Sequence, residues 1–211
     1  MPPSSDKKKF TEKNLIFVKK IMYTSKKILI NEGYSGLSMR AIANRMNIHI
    51  STIQHYFKNK NQLIEYLFRD IALEFNDKIK GITNSLTDEN PLSRFLNFIN
   101  TILDEMENEE TYILFIELIS SAQRLSSGKN MLNKIQSQYL DTIYKLIINI
   151  TPSISFNEYK NYAQIISMQT QAYLINFSNH NDEQKNKYLR NSLLQYFSSL
   201  VTKVQNQNNI Q

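Results

Sequence analysis

Residues 38–60 constrain the fold of this chain more than any other stretch: Ser-Met-Arg-Ala-Ile-Ala-Asn-Arg-Met-Asn-Ile-His-Ile-Ser-Thr-Ile-Gln-His-Tyr-Phe-Lys-Asn-Lys. Apolar or small side chains recur at Ile42, Ala43, Met46, Ile48, Ile53 and Tyr56. With a break near Asn47, this spacing predicts two short helices, over residues 39–46 and 50–57, held at a fixed angle by a shared apolar face. Ser38 stands where a side-chain oxygen can cap the first helix. Asn47 tolerates the left-handed backbone that a tight turn demands. Ala43 is small where the two helices must approach. The outward positions are then His49, Ser51, Thr52, Gln54, His55 and Lys60, all polar and mostly able to donate hydrogen bonds. A helix entering a DNA major groove needs such a face. An ordinary helical hairpin with a solvated outer side has the same spacing, so charge must help to decide.

The charge is uneven. Residues 1–80 hold 15 Lys/Arg against 7 Asp/Glu, a net +8, while residues 81–211 hold 10 against 12, a net −2. The helix-turn-helix pattern therefore lies in the basic part of the chain, as counterion release on DNA would require. Lys7–Lys9 read equally as a solvated tail. At 211 residues the chain can bury a real core. It has no cysteine, hence no disulfide and no thiolate chemistry, which fits a reducing cytosol. No apolar run approaches the ~20 residues of a membrane span, and no secretory signal is visible.

Along the chain, residues 1–9 are expected to be a disordered arm. A first helix over residues 11–31 carries a core stripe of Leu15, Val18, Met22, Ser25 and Leu29. Glycines at 33, 36, 81 and 128 are expected near helix ends. A fourth helix starts at Asn59, where Asn59 and Gln62 have capping-box-like spacing, and is expected to end at Gly81 before a polar linker over 82–90. Asn90-Pro91 opens the next helix. Further helices are expected over about 111–125, then from Gly128 to 150, from the Ser155/Glu158 capping box to 177, and over 182–205. The inner face of the penultimate helix is read as Tyr162, Ile165, Ile166, Met168, Gln169 and Tyr173. The last helix carries Tyr188, Leu189, Leu193, Tyr196, Phe197 and Leu200, an apolar surface broad for a terminal helix. Dimerisation or completion of the monomer core both account for it.

The run Gly33-Tyr34 … Leu37-Ser38-Met39-Arg40-Ala41-Ile42-Ala43 … Thr52-Ile53 … Tyr56-Phe57-Lys58-Asn59-Lys60 … Leu63 resembles the DNA-binding domain of the tetracycline-repressor (TetR) family. Tyr-Phe-Lys-Asn-Lys after the second helix is the specific part. Asn47, His49 and Gln54 depart from the family's usual glycine, serine cap and aromatic. The resemblance implies an all-α fold of about nine helices: an N-terminal three-helix helix-turn-helix DNA-binding domain over residues 1–58, and a helical ligand-binding and dimerisation domain over 59–211. It implies DNA contacts by Arg40, His49, Ser51, Thr52, Gln54, His55, Tyr56 and Lys60. Among these Gln54 and His55 would read bases, while Tyr56 and Lys60 would hold phosphates. Core packing of Tyr56 and a solvated His55 fit the same positions.

The resemblance further implies an apolar pocket for a small hydrophobic or aromatic effector, with candidates Phe95, Phe98, Ile102, Tyr112, Phe115, Ile119, Gln123, Tyr139, Ile143, Met168 and Tyr173. Any of these can simply be core. It implies a homodimer formed through the two C-terminal helices, bound to a near-palindromic double-stranded DNA operator. No glycine-rich phosphate loop, nucleophile elbow or zinc-ligand spacing appears, so no catalytic residue, metal or cofactor is expected and the chain does not read as an enzyme. The expectation is a cytoplasmic transcriptional regulator, acting as a repressor released by its effector. A DNA-bound architectural or cell-division factor on the same scaffold, or a binding module for an apolar metabolite, are the alternatives.

Overall fold

The structure, a computed structural model, describes residues 12–87, 90–122, 126–176 and 183–203. These residues form nine helices and no strand: α1 (Glu12–Gly36), α2 (Met39–Arg45), α3 (Ile50–Tyr56), α4 (Lys60–Ser85), α5 (Pro91–Glu107), α6 (Glu109–Ala122), α7 (Ser126–Ile147), α8 (Phe156–Asn176) and α9 (Glu183–Thr202). They fall into two compact units, residues 1–74 with 113–132, and residues 75–112 with 133–211. The expected arm at residues 1–9 lies outside the described residues.

In the first unit, α1 turns Val18, Ile21, Met22, Ser25, Ile28 and Leu29 inward. Leu15, expected in that stripe, is instead 45% exposed; it lies one turn before the first buried position. The helix also outruns its expected end. Gly33 breaks its geometry at φ 65° and ψ −174°, after which helical backbone resumes to Gly36. Positive φ is open to glycine at little steric cost, so the kink sits where the sequence allows it. The first half of α4 contributes Leu63, Ile64, Leu67, Phe68 and Ile71 to the buried set. Residues 59–74 therefore group with the helix-turn-helix, although the sequence suggests a division at 58/59. Lys26 pairs with Asp70 at 2.7 Å and also with Glu74, tying α1 to α4.

The second unit is built on Phe95, Phe98, Ile99, Leu103, Ile143, Ile147, Ile166, Phe197 and Val201, all closed to solvent. α5 packs against α8 and α9, which also meet each other. Asn90 caps α5 by accepting from Leu92 N at 2.9 Å and Ser93 N at 3.1 Å. Ser155 and Glu158 form the expected reciprocal box at the start of α8, with Ser155 N donating to Glu158 Oε2 at 2.9 Å and Glu158 N to Ser155 Oγ at 3.3 Å. One glycine expectation fails. Gly81 lies inside α4, which runs on to Ser85, whereas Gly128 lies in the first turn of α7, near a helix end as expected. Helix propensity costs about 1 kcal/mol per interior glycine, too little to end a helix whose other residues are packed.

Polar side chains bridge the second unit. The Tyr139 hydroxyl donates to Thr170 Oγ1 at 3.0 Å, and burial holds its pKa well above the usual phenol value. Arg190, on α9, donates to the Asn100 carbonyl at 2.8 Å and pairs with Asp104 and with Glu107 (3.1 Å) on α5. Tyr173 on α8 donates to the same Glu107 at 2.6 Å. The outward side of α8 and α9 carries large apolar side chains among polar ones: Met168 (61% exposed), Ile175, Tyr188 (73%) and Tyr196 all face solvent. Met168 was expected on the inner face. It falls opposite Ala163, Ile166 and Thr170, three of the buried positions of α8.

Candidate nucleic-acid interface

The helix-turn-helix forms as its sequence requires. Ser38 adopts extended backbone and its Oγ accepts from Ala41 N at 3.0 Å, an N-cap worth about 1 kcal/mol. Asn47 takes φ 52°, and Ile48 N bonds back to Ala43 O at 3.0 Å. His49 stands at the cap of α3 with no side-chain cap bond, so its imidazole is not consumed in capping. Ile42, Ala43 and Ile53 are buried where α2 and α3 meet.

With Ile53 inward, α3 leaves Ser51, Gln54 and His55 exposed, with His49 exposed ahead of them and Thr52 half-buried. Arg40 is exposed on the first turn of α2. Gln54 can donate and accept at once, the pattern that matches an adenine edge. Tyr56 is half-buried: its ring lies 5.2 Å from Phe17, and its hydroxyl donates to Asn14 Oδ1 at 3.3 Å. Both residues belong to α1, so Tyr56 is a packing residue as well as a candidate phosphate contact. Phe57 is buried edge-on to Tyr66, with ring centroids 5.6 Å apart.

The loop to α4 is tightly bonded. Gln62 N donates to Asn59 Oδ1 at 2.9 Å, while Lys58 N donates to Gln62 Oε1 at 2.7 Å. The expected Asn59–Gln62 pair thus forms, but its return bond goes to the amide one residue earlier. This fixes Lys60 at the first position of α4, where its ammonium sits over the Tyr34 ring, 5.0 Å from the centroid. Arg45, also on the basic half, is paired with Glu32.

Three residues that shape this surface, Asn14, Phe17 and Tyr34, escaped the reading of the sequence as site residues. Asn14 lies 42 positions from its partner Tyr56, so no local spacing links them. A tyrosine beside a kinking glycine was the available hint for Tyr34.

The effector candidates do not form one group. Phe95, Phe98, Ile102, Tyr139, Ile143 and Tyr173 are buried in the second unit, Tyr112 is half-buried, and Met168 faces outward. Phe115 and Ile119 are half-buried and fall in the first unit. Gln123 lies outside the described residues. No helix among the described residues is long and apolar enough to cross a membrane.

Residues 21–67 match the family model of bacterial regulatory proteins, tetR family. The chain is similar to the probable HTH-type transcriptional regulator YttP of Bacillus subtilis, 23% identical over 132 residues, which span 61% of each protein. The matched stretch is thus about three fifths of that relative's own length. Two solved structures share the fold. A TetR transcription regulator from Haloarcula marismortui has a TM-score of 0.72 at 14% identity, covering 86% of this chain and 96% of that one. A transcriptional regulator from Saccharomonospora viridis, solved in complex with choline, has 0.71 at 12% identity, covering 86% and 95%. The matched residues are those that build the capped α2, the Asn47 turn, the polar face of α3 and the start of α4, so over residues 21–67 the chain carries a domain of the kind found in bacterial regulatory proteins of the tetR family.

Proposed function

We propose that the protein is a sequence-specific DNA-binding transcriptional regulator, acting as a homodimeric repressor released by a small apolar or aromatic effector. The observation that carries the reading is α3, a short helix anchored by one buried isoleucine and presenting Ser51, Gln54 and His55 to solvent, followed by Lys60 at the first position of α4. Base-edge readers would be Gln54 and His55. Arg40, Thr52, Tyr56 and Lys60 would fix its position on the phosphates. Two such helices would enter successive major grooves of a near-palindromic site.

The exposed apolar side of α8 and α9 supports pairing through those helices, which would close it against a second copy. The effector would occupy the apolar interior of the second unit, where Tyr139 and Thr170 supply polar atoms among Phe98, Ile102 and Ile143. It would act through its different affinity for dimer geometries that do and do not fit the operator. The bound choline in the Saccharomonospora viridis protein supports a small-molecule site on this fold. The place of action is the cytoplasm, with DNA as the macromolecular partner.

Selection of duplexes from a random pool, followed by gel-shift titration, tests the reading. An enriched near-palindrome is expected. Gln54→Ala should relax preference at one position per half-site at a cost of about 1–3 kcal/mol, whereas Lys60→Ala should weaken all sequences alike. No enriched sequence, or equal binding of both variants, would overturn it.

A further inference from the structure

We infer that Tyr34 is a positioning residue for the phosphate contact of Lys60, holding the ammonium by its ring face before DNA arrives. The inference rests on the DNA-binding reading above and adds a residue to it. Lys60 occupies the first position of α4, and that helix has no acidic residue in its first turn. A cation there meets the positive end of the helix dipole, so the position is electrostatically unfavourable. Among the described residues no carboxylate forms a salt bridge with it. What faces the ammonium is the Tyr34 ring, at 5.0 Å from its centroid, and the negative face of an aromatic ring attracts such a charge.

The backbone accounts for the ring's place. Gly33, at φ 65°, takes the chain out of the α1 path just before Tyr34. The Tyr34 carbonyl then accepts from Leu37 N at 3.3 Å, and Leu37 is fully buried. Tyr34 is thereby held in the last turn of α1, while Lys60 is held by the Asn59–Gln62 cap. Two residues 26 positions apart in sequence meet because each is fixed by its own turn. A lysine stem carries about 2 kcal/mol of rotamer entropy when free. Restricting it beforehand lowers the cost of a phosphate contact, and a ring contact leaves N–H donors free for the phosphate.

Lys60 would act on any sequence, so the test needs no operator: a 30-base-pair duplex of mixed sequence is titrated by fluorescence anisotropy across a salt series. Lys60→Ala should raise Kd at low salt and flatten the salt slope by about 1 per protomer. Tyr34→Leu should raise Kd about two- to fivefold in the wild-type background, the size expected of an exposed cation–ring contact. It should change nothing once Lys60 is alanine. Tyr34→Phe, which keeps the ring, should bind as the wild type does. In labelled-lysine NMR spectra the Lys60 ε-methylene protons should be shifted upfield by the ring, and this readout serves even if Tyr34→Leu fails to fold.

Equal loss with and without Lys60, or an unshifted Lys60 ε-methylene, would overturn the role of Tyr34 and leave the DNA-binding reading standing. If Lys60→Ala itself left both Kd and salt slope unchanged, the phosphate role of Lys60 would fall and the role of Tyr34 with it.

Discussion

On α3 the side chains open to solvent are Ser51, Gln54 and His55, with Ile50 at its first position; on α8 and α9 they include Met168, Ile175, Tyr188 and Tyr196. Both surfaces are helical and both are exposed, yet they ask for different company. The first can be satisfied by water or by the polar edges of bases and phosphates. The second gains only by leaving water, and burial of each large apolar side chain would stabilise a contact by about 1.5–3 kcal/mol. The contrast separates a surface built to exchange one polar partner for another from a surface that a second protein copy would cover.

The sharpest way to break the contrast is to compare a buried aromatic with an exposed one in the same unit. Phe98 is closed to solvent in the core of the second unit. Phe98→Ala should cost about 3–5 kcal/mol, through lost burial and the cavity left behind. Chemical denaturation of the full chain measures this. A loss under about 1 kcal/mol would mean that the core around α5 is loosely filled, and the distinction between inside and outside in this unit would weaken.

Next in size is the exposed apolar face itself. Ile175→Glu combined with Tyr188→Glu should leave the helical content unchanged, because both side chains point to solvent in the single chain. It should convert the proposed dimer to monomer in sedimentation velocity. Affinity for a palindromic duplex should then fall about a hundredfold or more, as the second half-site loses its tethered head. A variant that remains dimeric would remove α8 and α9 as the pairing surface.

The sequence made much of this contrast legible, and unevenly so. The helix-turn-helix could be read almost residue by residue, because its determinants are local: Ser38 caps three positions ahead, Asn47 turns where it stands, and Asn90 and Ser155 announce α5 and α8. The ring contacts of Tyr34 and Tyr56 were not legible, since each depends on a partner brought close only by tertiary packing. Gly81 does not mark the end of α4, because one interior glycine costs less than the packing of the residues around it supplies. The inner face of α8 was misread at Met168 because an apolar residue on an outward surface looks the same in sequence as one in a core. The pocket candidates scattered between two units for a related reason: apolar content marks what can be buried, and says nothing of what it is buried against.

Gly81 offers a smaller test, in a helix that contributes residues to both units. It is exposed within α4, and a Cβ built there meets nothing within 4 Å. Gly81→Ala should stabilise by about 1 kcal/mol through helix propensity alone. For a chain of this size that is a rise of about 2–4 °C in Tm by calorimetry. No rise would mean that α4 is frayed at this point, and that the second unit begins beyond it.

The smallest effect concerns the cap of α8, the start of one of the two helices with the apolar outer face. The Glu158 carboxyl is held down at about 2 from an ordinary 4.5, first by the Ser155 backbone amide, then by the Ser155 hydroxyl and the Lys203 ammonium. A carboxyl whose pKa is lower in the folded chain than in the unfolded one favours folding whenever it is ionised. Its contribution is therefore complete above pH 4.5 and is lost as pH falls toward 2. Glutamine at 158 can still accept from the Ser155 amide but carries no charge to titrate. Glu158→Gln should thus leave Tm lowered by a constant small amount at neutral pH, and the gap to the wild type should close between pH 4.5 and 2. Melting both proteins across that window checks it. A gap that stays open at pH 2 would show that the cap acts through hydrogen-bond geometry, with no contribution from the charge.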